Sequence, residues 1–121
     1  MNWYIAKLVY QIVCGEGKHK PQFDEQLRLI HASNQLHAFH KARTLGRHEE
    51  DCFFNKINKP VHWKFIDVAE IVTIDMVADG VEVYSKICEE DDAEGYIRTI
   101  RLRADMLHES GSFEISNVQA C

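Results

Sequence analysis

The chain has 121 residues, 45% of them hydrophobic and 27% charged, an ordinary globular composition with enough length for one hydrophobic core. Its formal net charge of -5 argues against general nucleic-acid binding, which takes a basic excess to neutralise phosphates. No apolar run approaches the roughly 20 residues of a membrane span, so neither nucleic acid nor membrane is expected as a partner.

The first strand is expected at the very start. Trp3-Tyr4-Ile5-Ala6-Lys7-Leu8-Val9-Tyr10-Gln11-Ile12-Val13 begins two residues after Met1. That leaves no room for the charged start, apolar stretch and cleavage site of a secretory leader, and predicts a cytoplasmic protein. Cys14, Cys52, Cys88 and Cys121 form no Cys-x-x-Cys pair, so free thiols are expected in place of a disulfide framework. Tyr4, Ala6, Leu8, Tyr10 and Ile12 make one face of the strand. Trp3, Ile5, Val9 and Val13 make the other, diluted by Lys7 and Gln11. A strand apolar on both faces is central, or covered on its second face by a partner.

Cys14 to Pro21 reads as a turn, because Gly15, Gly17 and Pro21 break pairing. Phe23 to Ala32 is the second strand, with Leu27 and Leu29 on one face and Ile30 and Ala32 on the other. Ser33 or Asn34 can cap a helix, and Leu36, Phe39, Ala42, Arg43 and Leu45 follow at helical spacing. Gly46 offers an end, yet Ala38, Ala42, Leu45 and Phe53 keep one face, so the helix is expected to run on to Phe54. Asn55 to Pro60 is a loop.

Val61 to Met76 is the longest β signal. Val61, Trp63 and Phe65 alternate, then Ile66, Val68, Val72 and Ile74 take the other face. The switch predicts a bulge or bend near Asp67. Ala78-Asp79-Gly80 reads as a hairpin turn, returning Val81 to Ile87 as a partner strand. The acidic run Glu89 to Glu94 reads as a helix start, with Asp91 or Asp92 as cap. Ile97, Ile100, Ala104 and Leu107 keep helical spacing, and Arg98, Arg101, Arg103 and His108 lie toward the end that the helix dipole prefers. Gly111 closes the helix, and Phe113 to Val118 is a short last strand. No repeat or linker interrupts residues 1–121, so one domain is expected. The fold class is α+β, an antiparallel sheet with two helices in the order β-β-α-β-β-α-β. From the second strand onward that order fits a ferredoxin-like sandwich with one extra N-terminal strand.

Candidate chemistry is sparse. His37 and His40 are three apart on the helix and share a face, the one weak pairing for a metal. No His-Glu-x-x-His or Cys/His finger spacing accompanies them, and no metal or other cofactor is expected. Gly15-Glu16-Gly17-Lys18-His19-Lys20 resembles a phosphate loop only superficially, since Pro21 and a strand follow where a helix is needed. No Gly-x-Ser-x-Gly elbow is present, so no catalytic residue is nominated. Trp3, Tyr4, Trp63 and Tyr84 are aromatics on neighbouring strands, and Glu70 and Glu82 are acids that interrupt strands. Together these six are the candidates for lining a ligand pocket. Ile5, Val9 and Val13, on the second face of the first strand, are the candidates for an interface.

Three segments also stand in a recognisable order: Trp3-Tyr4-x-Ala6-Lys7-Leu8, Lys41-Ala42-x-x-Leu45-Gly46, and Trp63-x-Phe65 leading to Asp79-Gly80-Val81-Glu82-Val83-Tyr84-Ser85. In these the chain resembles the bacterial family called domain of unknown function 4288, over about residues 3–87. The resemblance implies a bacterial cytosolic domain and supplies no activity or site residues.

Three functional classes follow. The two-sided apolar strands favour a non-catalytic binding or interaction domain that self-associates, with a dimer as the first expectation and a further protein partner as an option. A small-molecule or small enzymatic site among the aromatic strands is the first alternative. An acidic inhibitor of the immunity or antitoxin type, binding a basic partner through Glu49-Asp51 or Glu89-Asp92, is the second.

Overall fold

β1 (Asn2–Cys14) and β2 (Gln22–Ala32) pair as the antiparallel hairpin that their apolar runs predict. The turn between them needs its glycines: Gly15 and Gly17 sit at φ +57° and +79°, a conformation that side chains with a Cβ rarely adopt. These coordinates are a computed structural model that describes residues 1–110. They divide into one unit of Met1–Tyr84 and a second that begins at Ser85.

In the first unit, α1 (Gln35–His48) follows β2, capped by Asn34, whose side chain accepts from the His37 amide at 2.8 Å. Then come β3 (Asp51–Phe54) and β4 (Pro60–Ile74). The strands form one sheet in the order β2-β1-β4-β3, every pair antiparallel. β1 is central, as its two apolar rows require. α1 joins strands at opposite edges and therefore crosses one face of the sheet. Its Ala38 and Ala42 pack there against Tyr4, Ala6, Leu8, Tyr10, Ile30 and Ala32, with Leu45, Trp63, Phe65, Val68 and Ile71 around them. Each large apolar side chain buried in this way contributes about 1.5–3 kcal/mol.

Gly46 lies within α1 because of that packing. A Cβ here would overlap the ring of Phe65, and its carbonyl accepts from the Tyr10 hydroxyl at 2.9 Å. The bend expected near Asp67 is present as two register shifts against β1, one between Lys7 and Leu8 and one between Val9 and Tyr10. The shifts bracket Asp67 and keep Val61, Trp63, Phe65, Val68 and Ile71 all on the α1 side. Val68 is thus on the same face as Phe65, not the opposite one. Arg43 of α1 braces the irregularity with two hydrogen bonds to Asp67, at 3.1 and 3.0 Å.

The structure corrects several local expectations. α1 passes Gly46 but ends at His48, and Cys52, Phe53 and Phe54 belong to β3. The cause is the following loop: the Asn55 side chain accepts from the Ile57 and Lys59 amides, closing a hairpin that takes the preceding residues into the sheet. The Asp79-Gly80 turn forms, with Gly80 at φ +83° and the Val81 amide donating to Ala78 at 3.2 Å. Val81 to Ile87 is nevertheless not a strand. Tyr84 is drawn instead to polar groups on the face of the sheet, described below. The strands flanking α1, β2 and β3, lie at opposite edges with two strands between them, so the split β-α-β unit of a ferredoxin-like sandwich, which has one strand between, is not formed among the described residues. The strand expected over Phe113 to Val118 lies outside them. Of the cysteines, Cys52 and Cys88 are free and exposed, whereas Cys14 is disulfide-bonded, which departs from the expectation of free thiols.

The second unit carries α2 (Ala93–Ser110). Asp92 caps it as expected, its carboxylate accepting from the Gly95 amide at 3.0 Å. No residue of α2 is buried. No helix among the described residues is long and apolar enough to cross a membrane.

Candidate functional site

The face of the sheet turned away from α1 follows from the strand period of two. Trp3, Ile5, Lys7, Val9, Gln11 and Val13 of β1 point there, beside Phe23, Glu25, Leu27, Leu29 and His31 of β2 and Glu70 and Val72 of β4. At its centre is Lys7, only 9% exposed. A lysine side chain so largely covered needs partners for its ammonium, and the fold supplies them from three segments. Glu25 lies at 3.5 Å and Glu70 at 3.8 Å, and the ammonium sits 5.2 Å from the centre of the Tyr84 ring. The Tyr84 hydroxyl donates to Glu70 at 3.1 Å.

The Tyr84 hydroxyl, then the Glu70 and Glu25 carboxylates, outweigh burial and hold the Lys7 pKa above its ordinary value. This direction decides the chemistry. A nucleophilic or Schiff-base lysine needs a depressed pKa, and Lys7 remains a protonated cation. The cluster is an electrostatic clamp that fastens the segment ending at Tyr84 to the sheet.

β2 shows a second feature on this face. Its row toward α1 is polar from Gln22 to Arg28, whereas Phe23, Leu27 and Leu29 on the other row are 56%, 50% and 65% exposed. The inward polar row is engaged from Asp24 to Arg28, while the buried Oε1 of Gln22 has no hydrogen-bond partner among the described residues. Asp24 accepts from Gln26 at 2.6 Å and from the Trp63 indole at 3.0 Å; Gln26 accepts from Arg28 at 3.1 Å, and Arg28 pairs with Glu49. Trp63 thereby reaches over β1 to join β4 to β2, with Phe53 stacked on it at 5.9 Å. Nearby, Glu50 accepts from the Phe65 amide at 2.7 Å and lies 3.6 Å from His62. These acids tie α1 and its C-terminal extension to the sheet.

The six pocket candidates divide between the two faces. Tyr4 is buried toward α1 and Trp63 packs on that same core. Trp3, Glu70 and Tyr84 lie on the other side, and Glu82 is exposed. Only Glu70 and Tyr84 of the six meet through a hydrogen bond in the structure. Trp3 instead stacks on His31 at 4.4 Å. Of the interface candidates, Ile5 is already buried by the chain itself, and Val9 and Val13 are half-buried. His37 accepts from the Ser33 amide at 3.0 Å and His40 packs edge-on to Phe39. No group of three or more histidines, cysteines, aspartates and glutamates suited to a metal occurs among the described residues. An open groove of about 480 Å³ runs between the start of α1 and the irregular stretch of β4, lined by Leu36, Phe39, Val68 and Glu70 among others.

Sequence reasoning passed over Lys7 as a dilution of an apolar row. Its signal was present: a lone lysine central in a strand apolar on both faces must either reach solvent or find acids.

These features define a small antiparallel α+β domain with a helix on one face and an ion-pair clamp on the other. The chain belongs to the family described as domain of unknown function (DUF4288), whose model matches residues 3–85. That match ends beside Tyr84, where the first structural unit also ends. No curated protein and no solved structure matches the chain.

Proposed function

We propose that this is a non-catalytic interaction domain that self-associates through the face of the sheet opposite α1. The observation that carries the reading is the reversed polarity of β2. Polar side chains are turned toward α1 and held in hydrogen bonds, while Phe23, Leu27 and Leu29 stand in solvent. Soluble strands ordinarily place these rows the other way round, and an exposed apolar patch such as Leu27 and Leu29, with Phe23 beyond Glu25, marks an association surface. A second copy is the simplest cover, because a two-fold interface needs only one self-complementary patch. The domain is proposed to work in a bacterial cytosol, where the exposed thiols of Cys52 and Cys88 persist, although the bonded Cys14 is less usual there.

Native mass spectrometry with light scattering on the reduced full-length chain tests this. The expected result is a dimer that Leu29→Glu weakens by about tenfold or more, as loss of one central apolar contact does. A wild-type chain that stays monomeric at every concentration overturns the reading. A stoichiometric small-molecule adduct shifts it to the groove beside Glu70.

A further inference from the structure

α2 presents a problem of its own. Tyr96, Ile97, Ile100 and Leu107 are each between 44% and 51% exposed, and no residue of the helix is buried. An 18-residue helix with β-branched residues at its centre is marginal in water unless its apolar stripe is covered. The order of residues along α2 says what can cover it.

Ala93, Ile97, Ile100 and Ala104 follow the alternation of three and four residues that forms a helix-pairing seam. They also read the same in both directions about the point midway between Arg98 and Thr99. A two-fold axis through that point places Ile97 on the partner's Ile100 and Ala93 on the partner's Ala104. The same operation sets Glu94 beside the partner's Arg101 on one flank of the seam and Tyr96 beside the partner's Arg103 on the other. Charge selects this direction. Glu94 precedes Arg98, Arg101 and Arg103 in α2, and Asp105 and Glu109, which follow them, fall away from the seam. A parallel pair sets Glu94 level with its own copy and each arginine level with its own; an antiparallel pair crossing at the midpoint brings Glu94 of each helix to an arginine of the other. The small Ala93 and Ala104 let the two backbones approach closely on either side of the isoleucines.

We infer that α2 is an antiparallel self-pairing helix, and that its occupant is α2 of a second copy of this chain. The inference deepens the proposal that the protein self-associates and adds a contact independent of the sheet face. Pairing covers the stripe on both helices at once, and its isologous symmetry yields a closed dimer.

The test is the dimer dissociation constant of the full chain by analytical ultracentrifugation, with far-UV circular dichroism over the same concentrations. Ile100→Glu is expected to weaken association by about tenfold or more and to lower helical signal. Leu102→Glu, exposed and off the stripe, serves as the control and is expected to leave both unchanged. Glu94→Arg is expected to weaken the dimer, and adding Arg101→Glu to restore it, since the swap re-forms the pair in the antiparallel register only. Wild-type affinity in Ile100→Glu, or no recovery in the swapped variant, overturns the assignment of α2. Weakening by Leu29→Glu but not by Ile100→Glu sinks α2 and leaves the sheet-face reading standing; the reverse pattern sinks the sheet face and keeps α2. A wild-type monomer sinks both.

Discussion

The two faces of this sheet are built from the same strands and are finished in different ways. On one, α1 brings Ala38, Ala42 and Gly46 down onto Tyr4, Leu8, Tyr10 and Phe65, and backbone and side chain meet without space for another methyl group. On the other, the chain covers only the centre. Ile5, Lys7 and Ile74 are buried, while Phe23, Leu27 and Leu29 at the β2 margin remain in solvent. The first face is held by packing and the second by charge. The lesson is that a central strand with two apolar rows does not need two layers of equal kind. A helix can close one row, and a single tyrosine with two carboxylates can fasten a segment over part of the other.

This contrast can be broken most strongly at Leu8. Leu8→Ala removes a fully buried side chain and is expected to cost about 3 kcal/mol in urea unfolding, the usual scale for a core leucine. Gly46→Leu comes next, at about 2–3 kcal/mol, because the new side chain must displace the Phe65 ring. Thermal melts of this variant are expected to stay cooperative at a lowered midpoint.

Asp67→Ala is expected to cost about 1–2 kcal/mol by losing its charged hydrogen bonds. It also changes the acid limb. Arg43 first, and the Val68 amide next, hold this carboxyl below its usual pKa. Its stabilisation is therefore present above the unfolded value of about 3.9 and lost as pH falls through the folded one. Stability measured between neutral and acid pH should fall less steeply in the variant.

The clamp on the second face responds at the other end of the pH scale. The Lys7 pKa is raised on folding, so its contribution is complete below the unfolded value of about 10.4 and disappears as pH rises through the folded one. Tyr84→Phe keeps the ring over Lys7 but removes the hydroxyl. A loss of about 0.5–1 kcal/mol at neutral pH is expected, with a weakened stability difference across the alkaline limb. The smallest effect should come from Leu29→Ala, within about 0.5 kcal/mol of wild type when measured on monomers. A cost at Leu29 that equals that at Leu8 and grows with protein concentration would show that a second copy completes this face.

Much of the first unit was legible residue by residue. The even row of β1 marked the core, Asn34 marked the start of α1, and the change of parity after Phe65 marked the irregularity at Asp67. These are short-range signals in which neighbouring residues report a shared face or a cap. The end of α1 was not legible in this way, because Ala38, Ala42, Leu45 and Phe53 do share a helical face. Whether Phe53 continues the helix or enters β3 depends on the hairpin closed by Asn55 and on Trp63, which stacks on Phe53. Tyr84 misled for a related reason. Val81, Val83 and the turn before them carry a strand pattern, yet the hydroxyl finds Glu70 across 14 residues and takes the segment out of the sheet.

The candidate site was legible in its parts and not in its assembly. Glu70 and Tyr84 were singled out as a strand-interrupting acid and a strand aromatic, and they do meet. Lys7, which brings them together, carried no local mark beyond being out of place.

The amino-acid sequence by itself determined the α+β class, the existence of both helices with their caps narrowed to Ser33 or Asn34 and Asp91 or Asp92, and membership of the family over residues 3–85. Periodicity and capping are properties of neighbouring residues, so they can be read along the chain. The tertiary structure alone decided which apolar row receives α1, that the polar row of β2 turns toward it, and that Lys7 is paired from three segments. Those outcomes depend on which distant groups must share a buried space. A pattern along the chain says that a face will be covered, and only the packed fold says by what.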